Sequence, residues 1–141
     1  MLTRIMKPRD DRDAGFTLIE LLVVVVIIGI LAAIAIPVFL NQRNAARNAS
    51  VESDIRNIAT VMETYYTQND AYPTASGPLV SAGAQVSDGN SVAVTVDATA
   101  GSYTMVGCNA EANTVYEYDS AGGGFITATT TTCPTGGITV S

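Results

Sequence analysis

The sequence predicts an α+β chain: one long N-terminal helix whose first half lies in a membrane and whose second half packs on a small antiparallel β-sheet. Three observations predict it. Phe16 to Leu40 is an almost unbroken apolar run. Val51, Ile55, Ile58, Met62 and Tyr65 then recur at spacings of 4, 3, 4 and 3. Beyond residue 90 come short runs rich in Val, Thr and Tyr, separated by Gly-, Ser- and Asp-rich turns.

Within Phe16–Leu40 only Thr17 and Glu20 are strongly polar. As a helix this segment extends about 37 Å, enough to cross a hydrocarbon core of ~30 Å with some tilt. The β-branched stretch Val23–Ile28 suits a buried strand by propensity, but strands seldom exceed ~10 residues, so length decides for a helix. Gly29 and Pro37 are its weak points, because proline removes a backbone hydrogen bond and crowds the preceding turn. A bend near Pro37 is expected, with local unwinding between Gly29 and Pro37 in an assembled state. Arg4, Lys7, Arg9 and Arg12 precede the run. The positive-inside rule therefore keeps the N-terminus cytoplasmic and exports the chain beyond Leu40. Arg43 and Arg47, on the far side, pull the other way.

The helix is expected to continue from Asn41 to Tyr66. Its apolar stripe faces the globular part, with Arg43, Arg47, Glu52, Asp54 and Arg56 largely off it. The polar cluster from Gln68 and Pro73 end it. Residues 74–91 read as a connecting loop. Four strands come next, at 92–96, 102–108, 114–118 and 125–131, with Ser120–Gly124 as the hairpin turn between the last two. The tail from Cys133 onward is predicted to be loose unless a disulfide ties it down. The organisation is thus a leader at 1–15, an apolar helix at 16–40, its amphipathic continuation at 41–70 and a globular β domain at 71–141.

Composition removes several function classes. The chain carries 13 acidic and 7 basic residues, a net charge of −6. After Arg12 the only cations are Arg43, Arg47 and Arg56. Such a chain is a poor non-specific partner for nucleic acid, whose phosphates are bound by clustered Lys and Arg. There is no histidine, so the commonest general base and metal ligand are missing. No nucleophile is paired with a base, and no enzyme or cofactor is expected. Asp88-Gly89-Asn90 reads as a turn, since the ligand ladder of an EF-hand is missing; a calcium loop there is the alternative. If the C-terminal half is exported, Cys108 and Cys133 read as a disulfide, contributing on the order of 3 kcal/mol. Otherwise they are two separate buried thiols.

Three readings of the apolar segment compete. It could be a secretory signal cut after Ala33-Ile34-Ala35, or an uncut anchor. The third rests on Gly15-Phe16-Thr17-Leu18-Ile19-Glu20-Leu21-Leu22-Val23-Val24, which resembles the processing site of type IV prepilins and pseudopilins. The resemblance continues through Ile30-Leu31-Ala32-Ala33-Ile34-Ala35-Ile36-Pro37. It is strong over the first 50 or so residues and only in outline thereafter.

The resemblance implies a type IV pilin-like fold and a series of roles. A membrane-embedded prepilin peptidase cuts between Gly15 and Phe16 and methylates the new amino group of Phe16. The helix stays attached and becomes filament core, where Glu20 pairs with the amine of Phe16, its own or a neighbour's. The implied partners are further copies of the chain, the peptidase, the pilus assembly platform and its ATPase, and the cytoplasmic membrane before export to an extracellular filament. Physical chemistry is compatible with these roles. Glycine lets a protease approach the peptide bond. A carboxylate in an apolar run is expensive in lipid and needs a partner. The Cys108–Cys133 pair is similar in place to the C-terminal disulfide loop of many pilins. A covalent, sortase-type pilus is not expected, for no lysine follows Lys7 and no Leu-Pro-x-Thr-Gly is present. A pseudopilin of a type II secretion or competence machine is the alternative, and a secreted or anchored binding domain is the alternative of another class.

Overall fold

The computed structural model describes residues 15–128 and 132–141. Helix α1 spans Leu18–Asn69, 52 residues. It begins where Thr17 caps it: the backbone N–H of Glu20 donates to Thr17 Oγ1 at 3.3 Å. It ends at Asp70, whose φ of 56° leaves the helical region. A short helix, α2, covers Ser76–Ser81. Five strands complete the chain: β1 Asn90–Asp97, β2 Ser102–Asn109, β3 Ala112–Asp119, β4 Gly124–Ile126 and β5 Ile138–Val140. They form one sheet in the order β4-β3-β2-β1-β5.

The chain divides into two compact units, Met1–Phe39 and Leu40–Ser141. In the first, the described residues are helical from Leu18 and the large apolar side chains are all exposed. The helix passes through Gly29 and Pro37 without interruption. Unwinding between them therefore stands as a proposal for the assembled state alone.

In the second unit the helix packs on the sheet, and the α+β arrangement is the one expected. Val51, Ile55, Ile58 and Met62 are fully buried against Val92, Val94, Tyr103 and Met105. Tyr65, the last member of the stripe, is only half-buried. Apolar burial of this kind is worth roughly 1.5–3 kcal/mol per large side chain. The alternating burial along Asn90–Asp97 and Ser102–Asn109 is what one covered sheet face produces.

Four expectations are corrected. Asp54 is not off the buried face; it is 8% exposed, because it lies three residues after Val51 and four before Ile58 on the same side of the helix. Residues 74–91 are not all loop, since they contain α2. The fourth strand stops at Ile126 instead of running to 131; Thr127 and Ala128 are not strand, and 129–131 lie outside the described residues. The sheet is not wholly antiparallel, and the tail, expected to be loose unless a disulfide ties it down, follows the Cys108–Cys133 bridge into a fifth strand. Ile138–Val140 pairs parallel to β1, with Val92 opposite Ile138 and Val94 opposite Val140. Gly136 and Gly137, at φ 89° and 71°, turn the chain into that strand.

Candidate functional site

The site anticipated from sequence lies at the start of α1. Gly15, Phe16 and Thr17 precede the helix, and Phe16 is 81% exposed. Residues 1–14 lie outside the described residues. Phe16 and Glu20 are four apart, but Phe16 lies before the first helical residue, Leu18. Thr17 and Glu20 occupy the two ends of a Thr-x-x-Glu capping sequence. A hydroxyl three residues before Glu20 satisfies one otherwise unpaired helix donor, and an acidic side chain in the first turn suits the positive end of the helix. This signal is legible in the sequence and makes Thr17 the cap of the helix.

Beyond Glu20 the helix is sheathed in exposed apolar side chains to Leu40. Leu31 and Ile34, like Leu18 and Ile19 in the first turn, are each above 60% exposed. Monomeric soluble proteins rarely keep so much contiguous apolar surface in water. Its cover is lipid or other protein.

In the second unit the structure adds polar groups that sequence patterns alone do not single out. The buried carboxylate of Asp54 accepts from Ser87 N at 2.8 Å, Ser87 Oγ at 3.0 Å and Asn90 Nδ2 at 2.6 Å. Asn90 Nδ2 also donates to Ser50 Oγ at 2.6 Å, and Asn109 Nδ2 donates to Asn90 Oδ1 at 2.7 Å. This network fastens the segment before β1, and the sheet's near end, to the helix. Asn90 is thereby a structural clamp in the segment where a calcium loop was the alternative. Among the described residues no group of three or more acidic or sulfur side chains could hold a metal ion.

At the far end of the unit Glu63 accepts from Tyr103 Oη at 3.0 Å and Tyr72 Oη at 3.2 Å. Burial, then the Glu63 hydrogen bond and charge, push the Tyr103 phenol well above its ordinary value. Tyr72 moves the same way, for burial first and Glu63 second. Cys108 in β2 is bonded to Cys133, with Cα atoms 5.7 Å apart. The bridge anchors the start of the segment that leads to β5.

Comparison with known proteins falls on the same features. The profile described as the prokaryotic N-terminal methylation motif matches residues 10–36. The chain is 38% identical over 92 residues to the type IV wide pilus major component PilA4 of Thermus thermophilus, covering 65% of this chain and 70% of that one. It is 43% identical over 68 residues to the type II secretion system core protein G of Pseudomonas aeruginosa, 48% of each chain. With the type IV major pilin protein PilA of Myxococcus xanthus it shares 40% over 63 residues, 45% of this chain and 29% of that one. The chain thus spans most of the first relative's length and half or less of the other two. A capped apolar helix carrying a single early glutamate and joined to a small sheet defines a class of filament-type, membrane-inserted subunits. The chain belongs to the type IV pilin and pseudopilin family.

Proposed function

We propose that the chain is a structural pilin of a type IV pilus. The observation that carries this reading is the exposed apolar surface from Phe16 to Leu40, headed by the methylation motif. Before assembly that surface sits in the cytoplasmic membrane as a single span, with the N-terminus inside. A prepilin peptidase cuts between Gly15 and Phe16 and methylates Phe16. Glu20 then pairs with the amine of Phe16 on a neighbouring copy. An assembly platform and its ATPase move the helix from lipid into the filament core, where copies bury one another's apolar side chains. The unit from Leu40 onward coats the outside.

No catalytic role is proposed for the chain itself, and no direct binding of nucleic acid. The pilin reading is preferred to the pseudopilin reading because the similarity to the wide-pilus component runs over 92 residues, 65% of this chain. The similarity to the secretion protein runs over 68. Shearing intact cells and labelling the released material with antibody to the globular unit tests this. Long labelled filaments in the electron microscope are expected. Processed chain confined to the membrane fraction would replace this reading with a pseudopilin.

A further inference from the structure

Asp88 is the only aspartate in the chain that is followed by glycine, and no Asn-Gly occurs. The pair lies in a turn whose hydrogen bonds leave its two reactive groups free. Asn90 N–H donates to Ser87 O at 3.0 Å and closes the turn, with Gly89 at φ 76° in the third position. That bond uses neither the Asp88 side chain nor the Gly89 nitrogen. Among the described residues the Asp88 carboxylate accepts no hydrogen bond or ion pair, and the Gly89 N–H donates none. Both residues are exposed, so water reaches them. Gly89 has no side chain to crowd an attack by its nitrogen.

The other described aspartates lack these conditions. Asp97 Oδ1 accepts from Thr99 N and Ala100 N at 2.9 Å each, and Asp119 Oδ1 from Ala121 N at 2.9 Å. Asp54 is buried and holds three donors. Asp70 precedes Ala71, whose methyl group stands beside the nitrogen that would attack.

From this contrast we infer that Asp88-Gly89 is a self-modification site, at which the backbone isomerises from aspartyl to isoaspartyl with water as the only reagent. The Gly89 nitrogen attacks Cγ of Asp88. A C–N bond forms, and one carboxylate oxygen leaves as water, carrying the proton from nitrogen and one from solvent. A five-membered succinimide ring is the product. Water then adds to either ring carbonyl. Addition at Cγ restores aspartate. Addition at the backbone carbonyl breaks its bond to nitrogen, so the chain runs through Cβ and Cγ and the α-carboxylate hangs free. Composition is unchanged, but the backbone is one atom longer.

The fold makes that extra atom costly. Both ends of the turn are fastened to one group, for Ser87 N, Ser87 Oγ and Asn90 Nδ2 all donate to Asp54. Gly89 O accepts from Ala110 N at 3.1 Å, and Asn90 opposite Asn109 is the first pair of the β1–β2 register. A longer link between fixed ends breaks one of these bonds and leaves a buried partner unpaired. Isomerisation at Asp88 therefore loosens the place where the sheet is clamped to the helix, whether or not the chain assembles.

The test ages the detergent-solubilised full chain for weeks at neutral pH in heavy-oxygen water. The chain is then cut with a protease that needs no Lys or Arg. The peptide carrying residue 88 is read by electron-transfer fragmentation, which separates isoaspartate from aspartate by cleavage at Cα–Cβ. Isoaspartate at position 88 with a heavy oxygen gained there, and no such gain at Asp97 or Asp119, is the expected result. Asp88→Glu keeps the charge but would need a six-membered ring, and it loses both signals. Ser87 and Ala110 amides exchange faster in the aged wild type and not in the aged Asp88→Glu chain. No isoaspartate at 88 in the folded chain, while the same chain in urea forms it, means that the fold shields the pair and overturns the inference. Equal or faster isomerisation at Asp97 or Asp119 overturns it too. Isomer at 88 with those two amides unchanged contradicts the cost assigned to the clamp.

Discussion

Gly107 on β2 lies directly beneath Ile55 of α1: a Cβ on Gly107 would come within 2.8 Å of Ile55 Cδ1 and 3.2 Å of Val51 Cγ1. Helix and sheet approach this closely because that strand position has no side chain. The Ile55 terminus can shift a little, so Gly107→Ala is tolerated with a small loss. Gly107→Val overfills the space and lowers stability by about 1–3 kcal/mol. Urea unfolding of the detergent-solubilised chain, read by far-ultraviolet circular dichroism, checks the order wild type, Ala, Val.

Asp54→Ala removes the acceptor of the Ser87 N–H and hydroxyl and leaves the buried Asn90 amide with Ser50 Oγ alone. Such losses cost about 1–3 kcal/mol. Hydrogen exchange at the Ser87 amide is expected to accelerate more than exchange at the β2–β3 ladder, since the network ties the segment before β1 and not the sheet as a whole.

The tyrosine–glutamate cluster gives the chain an alkaline limit. In the folded chain burial and Glu63 hold the Tyr103 phenol protonated, whereas in the unfolded chain it ionises near pH 10. The folded pKa is the higher one, so the stabilisation is fully present below about pH 10 and is lost as pH rises above it. Unfolding free energy is expected to be insensitive to this group from neutrality to about pH 9 and to fall beyond about pH 10. Tyr103→Phe, which cannot ionise, loses less over that upper range. Equal slopes for both chains above that point would show that Tyr103 does not set the limit.

Opening the Cys108–Cys133 loop, with a sequence separation of 25, costs about 3 kcal/mol in the loop-entropy account. Paired Cys→Ser changes should lower the urea midpoint accordingly. They should also loosen β5 first, seen as faster exchange of the Val92 and Val96 amides, which donate to Gly137 O and Ser141 O at 2.8 and 3.0 Å.

Trypsin offers a further check on the sequence itself. No Lys or Arg follows Arg56, so even the unfolded globular part stays in one piece from Asn57 to the end. Tryptic fragments beginning beyond that point would contradict this.

Much of the architecture is readable from the chain because two periodicities are strong. The 25-residue apolar run and the stripe from Val51 to Met62 each repeat one simple pattern, and the long helix is their direct result. The features that are hard to read are short, or polar where apolar residues are sought. Asp54 shares the face of Val51 and Ile58, but counting only apolar members of the stripe conceals it. Its partners, Ser87 and Asn90, are more than thirty residues away, and no local pattern joins them. Strand β5 has three residues and pairs with β1 across most of the domain, so its existence depends on a distant edge. At the N-terminus the Gly15-Phe16 and Glu20 pattern is legible as a resemblance. The capping role of Thr17 is legible too, but the apolar run after it masks the signal.

The central claim, that this chain is cut at Gly15 and built into a filament through its helix, is tested most directly by intact mass. The sample is the protein in material sheared from the cell surface. The account predicts a chain starting at Phe16, heavier by one methyl group and lighter by two hydrogens for the disulfide. A chain starting at Met1 or at Ile36 would contradict it.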